Sequence, residues 1–149
     1  MAAFFDTTVL VAASESSHPH FEPASAIVKR VATGRVKGVI CAHSIAETYS
    51  SLTRLPVTPR IQPDQAARIL HENILPHFTA VPLEHGDYLN ALNIVTAGGW
   101  PGAKIYEALL LQCAGRQQIK RIYTFNLSDF RKLAPPAVRE LVCAPESSV

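Results

Sequence analysis

Apolar residues along this chain fall into short continuous runs, and the longer polar stretches between them carry apolar positions at helical spacing. The first run, Ala2-Ala3-Phe4-Phe5, leads straight into Asp6 and then into Thr7-Thr8-Val9-Leu10. A continuous apolar run this short reads as a strand buried on both faces, as in parallel sheets. A loop over Ser14 to Ser17 and Pro19 precedes a predicted helix from Glu22 to Thr33. Ala26, Ile27, Val28 and Val31 supply its apolar face, and Gly34 closes it. Val36 to Ala42 reads as a second strand. Ser44 then stands where it would cap a helix running to Leu55, with Glu47 at the capping-box position. Pro56 and Pro59 stop that helix. Pro63 to Leu75 is the next, with Pro63 and Asp64 favourably placed in its first turn.

Phe78 to Leu83 reads as a third strand, and Glu84 to Ala97 as a helix on Leu89, Leu92 and Val95 that ends at Gly98-Gly99. After the loop Gly99-Trp100-Pro101-Gly102, Ala103 to Arg116 is helical and Arg121 to Phe125 is a fourth strand. Asn126 to Phe130 reads as the turn beyond it, Arg139 to Cys143 as a last edge strand, and Ala144 to Val149 as a frayed tail. Strands alternating with helices predict an α/β fold, with a central, mostly parallel sheet of four to five strands. No repeat, low-complexity tract or linker divides the chain. We expect one domain over residues 1–143 and a tail over 144–149.

Composition narrows this modestly. The chain of 149 residues is 48% hydrophobic and only 17% charged. Such low charge fits a sheet covered on both faces, or an additional apolar surface for oligomerisation. A net charge of +2 permits nucleic-acid binding without indicating it. Cys41, Cys113 and Cys143 are widely separated and have no metal-ligand spacing, so they read as small core residues in a reducing compartment. The N-terminus lacks a basic start and a long apolar stretch, and no run approaches the ~20 residues of a membrane helix. The expected location is the cytoplasm.

Four carboxylates change the picture. Asp6 ends the first strand, Glu47 lies in the first turns after the second, Glu107 lies early in the helix after the Gly-rich loop, and Asp129 follows the fourth strand. In a parallel sheet these places share one edge, where ligands bind. Acids gathered there repel one another without a cation. Mg²⁺ suits such oxygen donors, and Mn²⁺ is an alternative. The chemistry implied is hydrolysis of a phosphodiester by a metal-activated water. A Rossmann-like nucleotide binder is disfavoured, because no Gly-rich turn follows the first strand.

Four segments carry a resemblance to a known family: Phe5-Asp6-Thr7-Thr8-Val9-Leu10, His43-Ser44-Ile45-Ala46-Glu47-Thr48-Tyr49, Gly102-Ala103-Lys104-Ile105-Tyr106-Glu107-Ala108, and Ile122-Tyr123-Thr124-Phe125-Asn126-Leu127-Ser128-Asp129-Phe130. Their order and spacing resemble the PIN-domain ribonucleases, in particular the VapC-type toxins of toxin–antitoxin modules. The resemblance implies a three-layer α/β/α fold and an endoribonuclease whose metal ligands and catalytic residues fall on Asp6, Glu47, Glu107 and Asp129. Thr8, Thr124 and Asn126 fall on supporting polar positions. It further implies an RNA substrate, a cognate antitoxin and a homodimer, with no membrane partner. Candidate RNA contacts are Arg54, Arg60, Lys104 and Arg131-Lys132, with Trp100 or Tyr106 as stacking surfaces. Among the histidines only His43, beside Glu47, stands near this chemistry.

The family usually carries aspartate where this chain has Glu107, and often asparagine where it has Thr8. The extra methylene of Glu107 opens an alternative: a PIN-like module that binds RNA or protein with weak or no catalysis.

Overall fold

The computed structural model describes residues 1–146, so the tail expected over 144–149 lies partly outside the described residues. The elements, in order, are β1 (Ala2–Phe5), α1 (Thr7–Ser14), α2 (Phe21–Ala32), β2 (Lys37–Cys41), α3 (His43–Arg54), α4 (Pro63–Ile69) with a π-helical turn (Leu70–Ile74), β3 (Phe78–Val81), α5 (His85–Gly98), α6 (Lys104–Gly115), β4 (Arg121–Tyr123), α7 (Leu127–Leu133), α8 (Pro136–Arg139) and β5 (Val142–Cys143). The strands form one sheet in the order β3-β2-β1-β4-β5, and every pair is parallel.

Alternation along the buried strands divides the core into two faces. Phe4, Val39, Cys41, Ile122 and Val142 point to one side, where they meet Ala91 and Val95 of α5, Leu109 to Leu111 of α6 and Phe130 of α7. Ala3, Phe5 and Ile40 point to the other and pack against Val9 and Leu10 of α1 and Ala24, Ile27 and Val31 of α2. Helices on both faces of a parallel sheet make three layers. Close approach of α2 to the sheet depends on Gly38, since a Cβ there would lie 2.6 Å from Phe78 and 2.7 Å from Val31. Gly99 ends α5 in the left-handed conformation at φ +67°, the expected way to stop a helix.

One element is new and two expectations are corrected. The threonines and apolar residues after Asp6, to which the sequence pattern assigned no element, form the helix α1. This helix lies against the sheet, α2 and α3, so Thr7, Val9, Leu10, Val11 and Ala12 are all buried and no amphipathic period survives to mark it. The segment after Asn126 is the helix α7, of which the expected turn is the first part. The final strand shrinks to Val142–Cys143 because α8 takes up Pro136–Arg139.

Cysteines 41, 113 and 143 are free, with Cys41 and Cys113 buried in the core. Among the described residues no helix is long and apolar enough to cross a membrane.

Candidate active site

The parallel order puts β1 between β2 and β4, and the chain winds outward from β1 in both directions. Such a topological switch point opens a crevice at the C-terminal ends of the two strands. Asp6 follows β1 at this crevice, with its backbone N–H donating to Tyr123 O at the end of β4. Its carboxylate is 4% exposed and accepts hydrogen bonds from Thr8 Oγ1 at 2.7 Å and Thr124 Oγ1 at 2.8 Å, both on Oδ2. Burial pushes the Asp6 carboxyl above its usual range, against the pull of those hydroxyls. Thr8 and Thr124, two of the expected supporting residues, thus both touch the Asp6 carboxylate directly.

Glu47 comes from the second turn of α3. The expected capping box is not made: α3 begins at His43 with Ala42 as its N-cap, and Ser44 is fully buried inside the first turn. Thr7 takes over instead. Its hydroxyl lies 2.9 Å from Ser44 Oγ and 3.2 Å from Glu47 Oε1, tying the start of α1 to α3. Burial raises the Glu47 carboxyl, and Asp6 adds to this, while His43 and the Thr7 hydroxyl oppose it. His43 Nε2 is 4.0 Å from Glu47 Oε1, and its ring stacks on Tyr106 of α6 at 5.6 Å. The two rings sit at the rim of the site.

Glu107 lies in the first turn of α6, and its Oε1 accepts a 2.8 Å hydrogen bond from Asn126 Nδ2. Its Oε2 is buried without a hydrogen-bond partner. Burial raises this carboxyl; Lys104 opposes, and Asp129 and Asp6 add. Asp129, in the first turn of α7, accepts from Lys104 Nζ, which holds its carboxyl below the usual range. Lys104 Nζ also lies 3.7 Å from Glu107 Oε2. The four acids thus share one edge of the sheet, linked through mutual charge and common partners. Among the described residues no three His, Cys, Asp or Glu side chains converge as a ready-made metal cage. The donor chemistry still fits a hard divalent cation: all oxygen, anionic, and with one buried carboxylate oxygen lacking a hydrogen bond.

Of the expected RNA contacts, Lys104 is spent on the acids. Arg54 and Arg60 are exposed, Arg131 donates to Val142 O in β5, and Lys132 lies over the ring of Trp100. Trp100 itself packs against the core. Thr7 and Ser44 escaped sequence reasoning as site residues, because their bond depends on α1 being a helix. A cleft of ≈ 510 Å³ opens beside Thr8 and Asn126, walled by Val11, His18, Leu55 and Phe125. A larger one, ≈ 630 Å³, lies between α2 and the β4–β5 edge and is lined by none of the four acids.

Comparison with known proteins follows the same geometry. The family model for the PIN domain matches residues 3–135. The chain belongs to the PIN domain family. Ribonuclease VapC27 of Mycobacterium tuberculosis is 35% identical to this PIN domain over 89 residues, which is 55% of this chain and 58% of that relative. The chain therefore matches less than two thirds of that relative's length. Solved PIN-like neighbours share the fold at low identity. The toxin VapC20 of M. tuberculosis, described as cleaving the sarcin-ricin loop, superposes with a TM-score of 0.68 at 12% identity, covering 85% of this chain and 92% of its own. FitAcB of Neisseria gonorrhoeae gives 0.63 at 16%, covering 88% and 92%. VapBC2 of Rickettsia felis, solved with a DNA fragment from its promoter, gives 0.64 at 12%, covering 98% and 100%.

Proposed function

We propose that this PIN domain is a metal-dependent endoribonuclease, the toxin of a toxin–antitoxin pair, with residues 1–143 as its nuclease unit. The observation that carries the reading is the buried Asp6 carboxylate at the switch point, held by two threonine hydroxyls and facing the charges of Glu47 and Glu107. Likeness to ribonuclease VapC27 supports the activity. Asp6, Glu47, Glu107 and Asp129 would hold Mg²⁺ or Mn²⁺. A divalent ion bound there supplies the Lewis acidity that activates water and offsets charge on the phosphoryl group.

The rest of the work falls to the chain. Thr8 and Thr124 fix the Asp6 carboxylate in one orientation, Thr7 does so for Glu47, and Asn126 for Glu107. With their rotamers settled before substrate arrives, the acids lose little entropy on engaging it. The cleft beside Thr8 and Asn126 runs toward Ser51 and Leu55, which also line a shallow depression with Arg54. An RNA strand laid there would meet apolar walls for its bases and a guanidinium for a phosphate. For the expected homodimer, α5 offers Tyr88, Leu89 and Leu92, each nearly half exposed. An antitoxin partner is supported by the likeness to VapBC2 and FitAcB.

The test is cleavage of single-stranded RNA by the purified chain. Activity should vanish in excess chelator, return with Mg²⁺ or Mn²⁺, and be absent from a mock preparation; cleavage indifferent to chelation would sink the reading. Asn126→Ala provides a finer check. Freed from its amide partner, Glu107 should lose its set position, and Mn²⁺ affinity and cleavage rate should drop roughly 10–100-fold. Circular dichroism should show the fold intact.

The second reading, a binding module without catalysis, is favoured by the Lys104–Asp129 ion pair and by glutamate at position 107. Calorimetry separates the two, since a pure binding module has no need of affinity for Mg²⁺ or Mn²⁺.

A further inference from the structure

Lys104 opens α6 and turns its ammonium group into the acid site. Nζ donates to Asp129 Oδ2 and lies 3.7 Å from Glu107 Oε2. That places a tethered positive charge between the last two acids of the sequence. Asp6 and Glu47 have no such partner in contact: Asp6 is held by the hydroxyls of Thr8 and Thr124, and Glu47 by that of Thr7, with His43 4.0 Å away. Glu107 stands between the halves. One of its oxygens is taken by Asn126, and the other is buried without a hydrogen-bond donor, 3.7 Å from Lys104 Nζ.

The site is therefore divided by charge. On one side, the Asp6 and Glu47 carboxylates are held by neutral hydroxyls alone. On the other, Asp129 is paired with the Lys104 ammonium group. We propose that Lys104 stands in for a second metal ion, so that this PIN domain takes a single divalent cation on the Asp6, Glu47 and Glu107 side. The inference rests on the metal-nuclease reading. Four carboxylates bring a charge of −4, and Lys104 reduces it to −3. One divalent ion then leaves −1, whereas a second would make the cluster positive and set it against the ammonium group. A lysine carried by the helix cannot diffuse away, so the second position is filled whatever the metal concentration. Glu107, one methylene longer than aspartate, has the reach to serve the ion while remaining beside the ammonium.

The experiment is a Mn²⁺ titration of the full chain, with bound metal counted by electron paramagnetic resonance of the free ion and by calorimetry. Wild type should bind one Mn²⁺. Lys104→Met, or Lys104→Gln where the methionine variant fails to fold, should bind two and develop the spin-coupled signal of a neighbouring Mn²⁺ pair. Lys104→Arg should stay at one. Adding Asp129→Asn to the Lys104→Met variant should remove the second ion and leave the first. Two ions in wild type, or one ion in both wild type and the methionine and glutamine variants, overturns the role of Lys104 while the nuclease reading stands. No Mn²⁺ on any of them overturns both.

Discussion

Asp6→Asn should abolish RNA cleavage and at the same time make the metal-free protein more stable. Asparagine is the same size, and its Oδ1 accepts the Thr8 and Thr124 hydroxyls as Asp6 Oδ2 does, so the local geometry survives. What disappears is a buried negative charge. Cleavage should fall by roughly 10²–10³-fold or more, the cost of removing one preorganised electrostatic group. The folded-state pKa of Asp6 lies above its unfolded value. Its contribution to stability is therefore fully present below the unfolded pKa and is lost as pH rises through the folded pKa. The asparagine variant escapes that loss, and its advantage in chelator should grow with pH and then level off. Each kcal/mol gained should raise Tm by about 2–4 °C. Added Mn²⁺ should reverse the order, because only wild type gains the stabilisation of the bound ion. Thermal melts with and without chelator, beside a cleavage assay, read all of this. A variant that still cleaves removes Asp6 from the mechanism.

The second large effect lies away from the chemistry. Arg116 follows α6 and clamps the start of α5: Nε and Nη2 donate to the two oxygens of Asp87 at 3.0 and 2.7 Å, and Nη2 also reaches Pro82 O. Asp87 is 3% exposed and in turn accepts from the Glu84 backbone N–H. Arg116→Ala leaves that carboxylate buried with no counter-charge and only the Glu84 backbone N–H donating to it. Since Arg116 keeps about a third of its side chain in water, the loss should sit near the lower end for a broken buried pair, about 3 kcal/mol. Adding Asp87→Asn should recover part of it. Arg116 holds the Asp87 carboxyl below its usual range, so this stability is present above the unfolded pKa and is lost as pH falls through the folded one. Urea unfolding of the single and double variants checks both points. A single variant as stable as wild type would show that the pair contributes nothing.

How much of this could be read from the chain alone follows from the range of the forces involved. The buried strands were legible because a two-sided sheet writes itself as a continuous apolar run, as in Ala2 to Phe5. The helices α2, α3, α5 and α6 were legible from spacing and stop signals. α1 was not, since burial of Thr7 and of Val9 to Ala12 leaves no regular polar face to mark it. The places of the four acids followed from strand ends, but their partners did not. Thr7 reaches Glu47 across 40 positions and Lys104 reaches Asp129 across 25. Such pairings depend on the folded path of the chain rather than on any local pattern. The capping role offered to Ser44 shows the converse: a sound local rule gave way to a tertiary bond with Thr7.

The strand order also sets a timetable. The Asp6 carboxylate is oriented by a hydroxyl that belongs to Thr124, 118 positions later in the chain. A nascent chain emerging from the ribosome carries only fragments of the centre until β4 inserts beside β1 and α7 follows it. Whatever activity the site carries is thus withheld until β4 and α7 have been made.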